Sequence, residues 1–238
     1  MNLNNKLISE GRSLFRFRSY LPLFLIPLLL YSISNNINFI EEYNYLFIFS
    51  LLISILGQFI RSFTVAFISY GTSGRNTKGQ YASSLNTTGI YSVVRHPLYL
   101  GNFFMYLGPF IFSADIFVIS IYSLLFYLYY ERIMLAEEDF LIDKFGTNYI
   151  KWANITPAFV PSFKNYIENN EKFSFKKILH REYAGINGLI FLFIFIYLYK
   201  SYLLKIEPLI TTSIMSLIII NILLYIILRY YKKIYKND

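Results

Sequence analysis

The chain has 238 residues, of which 55 % are apolar, 20 % aromatic and only 15 % charged, with a formal net charge of +8. So apolar a composition exceeds what a single soluble core holds and points to a membrane protein. Cysteine is absent, which rules out disulfides, iron–sulfur clusters, thiolate-bound zinc and a cysteine nucleophile within these residues.

Six apolar blocks are separated by charged stretches. The first, 21–33, follows Lys6, Arg12, Arg16 and Arg18; no small-residue cleavage site comes after it, so it reads as an uncleaved first helix. The second spans 45–70 and carries Arg61 inside it, where an unpaired charge is costly and a partner is expected; alternatively the span ends at Arg61 and the remainder lies along the interface. The third and fourth, 98–113 and 116–130, are short and joined at Asp115, the pattern of a tight helical hairpin. Residues 131–177 are charged and largely amphipathic, with breaks at Gly146, Pro157 and Pro161, and form the main extramembrane stretch. The last two blocks, 186–199 and 209–228, make a C-terminal helical hairpin (about 186–229), with Pro208 placed to start the final helix.

Blocks of this kind suit membrane helices, which need about 20 apolar residues. The continuous apolar run at 218–228 lacks the alternation of a membrane β-barrel strand. The expected fold is therefore all-α: a polytopic integral-membrane helical bundle of about six membrane segments, with 1–238 as a single membrane domain.

Positive charge alternates between the connections. Lys6, Arg12, Arg16 and Arg18 precede the first block, and 35–44 has no Lys or Arg. Arg75, Lys78 and Arg95 lie in the next loop, none at Asp115, and eight lie between 131 and 185. The positive-inside rule then puts both termini and the two long loops in the cytoplasm. Because these basic residues flank apolar blocks, anionic lipid bilayer, and no nucleic acid, is the expected partner. Abundant Asn, Ile, Lys and Tyr fit an AT-rich genome and a bacterial inner membrane.

Chemistry concentrates in two places. Arg95 and His96 stand at the cytoplasmic mouth of the third block, and Pro97 fixes φ where a helix begins, aiming a helix N-terminus at an anion. The plainer alternative is an Arg that reaches the headgroups, an interfacial His and a Pro that only starts a helix. About forty residues on, the adjacent carboxylates Glu137 and Glu138 repel one another and call for a cation: Arg132, Arg95 or a cationic ligand. Alternatively they are the solvated face of an amphipathic helix. The glycine- and hydroxyl-rich loop around Arg75 and Lys78 suits either an anion cradle or a shielding loop. His180, Arg181 and Glu182, ahead of the fifth block, are expected to face the cytoplasm. With two histidines in the chain, a His-rich metal site is excluded.

Arg95-His96-Pro97 with Tyr99 and Gly101, then Glu137-Glu138, Leu141, Phe145-Gly146, Tyr149 and Trp152, closing at Pro157 and Pro161, resemble the isoprenylcysteine carboxyl methyltransferase and phospholipid methyltransferase superfamily of integral-membrane enzymes. The resemblance covers about 56–161 and implies a methyltransferase core there, with a cytoplasmic site for S-adenosylmethionine. No Gly-x-Gly-x-x-Gly follows a strand here, so a soluble Rossmann site for this cofactor is not available. The resemblance implies Arg95 or His96 on the cofactor carboxylate, and Glu137 or Glu138 on its amine and sulfonium. Pro97, Tyr99, Gly101 and Tyr149 complete the cofactor-binding set, and Arg95, His96 and Glu138 are the catalytic candidates. Arg61, Arg75 and Arg132 are secondary candidates for holding an anionic acceptor.

The implied reaction is methyl transfer to a lipid or lipid-linked acceptor: the carboxylate of a prenylated cysteine, the amine of phosphatidylethanolamine, or a lipid phosphate. His96 as a general base suits an amine acceptor only. The sequence departs from the family pattern at Trp152, a position often held by Tyr, and in the two apolar segments after Pro161, which leaves the acceptor pocket undefined. A small transporter or channel, or a non-catalytic membrane scaffold, stands as the competing class. The first asks for polar residues along several spans and some symmetry between halves; little of either is visible.

Overall fold

The computed structural model describes residues 2–18, 20, 24–68, 82–169 and 171–234, and among them every regular element is helical. The chain runs through α1 (Leu3–Leu14), α2 (Ile26–Asn35), α3 (Ile37–Glu42), α4 (Tyr45–Phe67), α5 (Pro97–Phe112), α6 (Ile116–Phe145), α7 (Thr147–Ala153), α8 (Phe175–Leu203) and α9 (Thr212–Ile234). Four of these described helices, α4, α6, α8 and α9, are long and apolar enough to cross a membrane. Their outer faces carry exposed apolar side chains such as Ile48, Phe59, Leu124 and Ile227, as expected where lipid replaces water.

Several boundaries differ from those expected. The fourth apolar block does not end near residue 130, because α6 continues for 30 residues to Gly146, whose φ of 53° stops the helix. Glu137 and Glu138 are therefore carried on a continuous rigid extension of that helix. The fifth segment begins at Phe175 instead of 186, capped by Ser174, whose hydroxyl accepts from Lys177 N–H. Charged residues at its start hid its length, since hydropathy alone detects only the greasy part of a helix. An N-terminal helix, α1, also lay unrecognised in a stretch read only for its charge. It packs along α6, with Arg12 paired to Asp139 at 2.7 Å and Arg132 to Glu10 at 3.0 Å.

Helix α4 packs tightly against α5. Small residues permit it: Gly57 lies on the backbone of Gly101 and Met105, and Gly108 lies on Ser50 and Ser54. The Ser54 hydroxyl donates to the Met105 carbonyl at 2.8 Å, satisfying a polar group that hydrocarbon would otherwise penalise. At the far end of the hairpin, Asp115 accepts from Phe117 N–H (2.9 Å) and Val118 N–H (3.3 Å) and so caps α6. An aromatic column follows inside, from Tyr99 to Tyr130 to Phe126, with ring centroids 4.8 and 4.2 Å apart.

Candidate active site

Pro97 occupies the first turn of α5, and His96 is its N-cap. The approach to that cap is held from outside the helix: Arg95 N–H donates to the Pro157 carbonyl, His96 N–H to Ala158, and Ser162 N–H to Val93, at 2.9, 3.2 and 3.0 Å. The Trp152 indole N–H donates to the Tyr91 carbonyl at 3.0 Å. The segment after α7 is thus a strap that fixes where Arg95 and His96 point. The prolines noted as breaks belong to this strap.

Opposite them, α6 presents Glu137 and Glu138. Nε2 of His96 lies 2.9 Å from Glu138 Oε1, and Nδ1 lies 3.5 Å from Glu137 Oε2. Arg95 Nη2 stands 3.1 Å from the same Glu138 oxygen, while its Nη1 donates to the Ala153 carbonyl at 3.0 Å. The Tyr99 hydroxyl donates to Glu137 Oε1 at 2.8 Å. Arg95, one of the cations expected here, meets Glu138, and His96, which was not expected in this role, meets both carboxylates. Arg132 takes no part, because Glu10 holds it.

Burial alone would lower the His96 pKa, but hydrogen bonds and charge from Glu137 and Glu138 outweigh it, and the net shift is upward. His96 is accordingly held towards its protonated form. Burial, then the Glu138 charge, raises the Tyr149 hydroxyl, which stays a neutral phenol. That hydroxyl sits beside Glu138 but out of good hydrogen-bond geometry, and Arg95 Nε is likewise buried without an acceptor among the described residues. Two polar atoms at this site are therefore available for further bonds.

The other expected residues fall elsewhere. Gly101 lies at the α4 crossing, under the Arg61 side chain, two residues beyond Tyr99. Arg61 is paired bidentately with Glu182, which is 1 % exposed and buried between helices instead of facing solvent. A charge inside a membrane helix needs a counter-charge, and Glu182 is the single acidic residue between Glu171 and Glu207, a signal that was present in the sequence. The His180 ring stands edge-on to Tyr231 at 5.1 Å. Arg75 and Lys78 lie outside the described residues.

A cavity of about 170 Å³ is lined by polar groups including Thr64, Asn86, Tyr91 and Asn169, by the carboxylate Glu171, and by an apolar wall that includes Phe67 and Leu85. Tyr91 links the two regions: burial raises its pKa, and the Glu137 charge raises it further.

The ionic box joins the N-cap of α5 to the later turns of α6 and is closed by the strap, a polar site on a helical fold in which four described helices are long and apolar enough to cross a membrane. Residues 45–148 match the phospholipid methyltransferase family, and the relatives below support the resemblance of this core to the isoprenylcysteine carboxyl methyltransferase and phospholipid methyltransferase superfamily. The chain is 30 % identical over 109 residues to the protein-S-isoprenylcysteine O-methyltransferase of Schizosaccharomyces pombe, covering 44 % of this chain and 45 % of the relative. It is 31 % identical over 113 residues to the protein of the same name in Saccharomyces cerevisiae, covering 46 % of each. It is also 33 % identical over 104 residues to the cobalt-zinc-cadmium resistance protein CzcN of Cupriavidus metallidurans, covering 42 % of this chain and 48 % of the relative. The chain thus spans a little under half the length of these relatives, whose names differ in what they imply about substrate. No solved structure matches.

Proposed function

We propose that the protein is an S-adenosylmethionine-dependent membrane methyltransferase acting on a lipid or lipid-linked acceptor from the cytoplasmic face. The observation that carries this reading is the box of Arg95 and His96 against Glu137 and Glu138. Its donor set suits the zwitterionic end of the cofactor: cationic groups for a carboxylate, carboxylates for an ammonium and a sulfonium. The unpartnered Arg95 Nε and Tyr149 hydroxyl supply further bonds, and the cavity, polar with an apolar wall, suits a nucleoside. When bound, the cofactor supplies a methyl group on a positively charged sulfur.

In this reading Arg95 and His96 hold the carboxylate, and Glu137 and Glu138 hold the cationic groups. Tyr99 fixes the Glu137 carboxylate, Tyr149 lines the pocket beside Glu138, Pro97 sets the helix end, and Gly101 allows α5 to lie against α4. The site aligns acceptor and methyl group and excludes water. A His96 paired with two carboxylates is a poor general base, so an acceptor oxygen that is already ionised fits better than an amine. The names of two relatives, protein-S-isoprenylcysteine O-methyltransferases, favour such O-methylation. Arg61 and Arg132, both committed to carboxylates, lend no support to an anionic headgroup site. The short α2 and α5 join the four long helices in a six-segment arrangement, with both termini cytoplasmic, in a bacterial inner membrane.

The test is incubation of the purified protein with methyl-labelled S-adenosylmethionine and membrane lipid extract. Label that mild alkali releases as methanol marks a carboxyl ester, and alkali-stable label in a phosphate ester also fits. Label in a headgroup amine would overturn the oxygen acceptor.

A further inference from the structure

Buried where α4, α5 and α8 meet is an ionic cluster that residues 45–148 do not complete by themselves. Arg61 donates Nε to Glu182 Oε2 and Nη2 to Oε1, each at 2.9 Å. Its Nη1 donates to Asn102 Oδ1 at 2.6 Å and to the Leu98 carbonyl at 3.4 Å. Glu182 also accepts from Gln58 Nε2 at 3.2 Å. A guanidinium makes this pattern because its donors are fixed in a planar fork; with two of them locked on Glu182, the direction of Nη1 is set.

Both Nη1 acceptors belong to the first two turns of α5, the stretch that carries His96 at its cap and Tyr99 one turn in. Asn102 Nδ2 donates onward to the Tyr130 hydroxyl at 3.2 Å, and the Tyr130 ring packs on Tyr99. Beneath them a Cβ on Gly101 would come within 2.5 Å of Arg61 Cγ, so this arginine and the α5 backbone fit one another closely. The rotation of α5 about its axis follows from where Arg61 is held.

We infer that Glu182 is a positioning residue for the site: through Arg61 it sets the rotation of α5, and with it the placement of His96 and Tyr99. The C-terminal hairpin is then a working part of the site and not an appended anchor. The link to ligand binding rests on the methyltransferase reading; the placement of α5 does not. An ion pair that merely ties two helices together works equally well reversed. This one does not, because Asn102 Oδ1 and the Leu98 carbonyl need a donor at position 61.

The experiment compares the full-length wild type with Glu182→Gln and with the Arg61→Glu/Glu182→Arg double variant in detergent. Thermal unfolding, hydrogen exchange over 98–105 and S-adenosylhomocysteine affinity are read in each. Glu182→Gln is expected to weaken affinity about 10-fold or more, the usual scale for removing an orienting partner, and to speed exchange over 98–105. The reversed pair is expected to recover the unfolding temperature without recovering affinity or protection. Wild-type affinity and exchange in Glu182→Gln, or binding restored together with stability in the reversed pair, would overturn the inference. Should the reversed pair not fold, Glu182→Gln decides alone. A wild type that binds no S-adenosylhomocysteine refutes the cofactor reading separately, and exchange over 98–105 then decides the positioning claim.

Discussion

His96 Nε2 and Glu138 Oε1 stand 2.9 Å apart, joining the N-cap of α5 to the C-terminal part of α6 across forty-two positions of sequence. Because Arg95 meets the same oxygen at 3.1 Å, one carboxylate oxygen holds both cations of the Arg-His pair.

That shared oxygen gives the site a pH dependence. The His96 pKa is raised on folding above its ordinary 6.5, so its ionic contribution to stability is fully present below that value and fades as pH rises through the higher folded value. Affinity for S-adenosylhomocysteine is expected to fall across the same window on the alkaline side. Calorimetry in a pH series checks this, and His96→Gln should flatten the step. An unchanged step in that variant would assign it to another group.

Tyr99→Phe removes a hydroxyl that donates to Glu137 and leaves the ring in place. A hydrogen bond to a charged group contributes about 1.5–3 kcal/mol when buried, and Glu137 is partly exposed, so a loss of about 1 kcal/mol in binding is expected. The corresponding weakening of affinity is about fivefold, with little change in unfolding temperature. Fluorescence of Trp152, the single tryptophan of the chain, offers the readout.

Gly57→Ala places a methyl group against the backbone of Gly101 and Met105, where no flexible side chain can give way. A destabilisation of about 1–3 kcal/mol is expected, the scale of overpacking in a tight contact. Thermal unfolding in detergent measures it. Gly188→Ala, which meets nothing within 4 Å, serves as the control and should unfold as the wild type does.

Much of this arrangement was legible in the sequence because it is local. Pro97 after Arg95-His96 announces a helix start, Gly146 a helix stop, and the adjacent Glu137 and Glu138 a need for cations. Hydropathy marks the greasy part of each span but not its charged extension, so the charged ends of α6 and α8, and the whole of α1, leave no hydropathy signal. The partner of Arg61 was foreseen as a requirement but not named, since Glu182 lies 121 positions away and only packing of α8 on α4 brings it near. The strap is another long-range feature. Its bonds run between backbone groups of 93–96 and 157–162, and backbone pairing leaves no trace in side-chain chemistry.

The most direct test of the central claim is calorimetric binding of S-adenosylhomocysteine to the detergent-purified protein, with Arg95→Ala and Glu138→Ala measured alongside. Micromolar binding by the wild type and its loss in both variants are expected. A well-folded wild type that binds nothing, or variants that bind as tightly as the wild type, would contradict that claim.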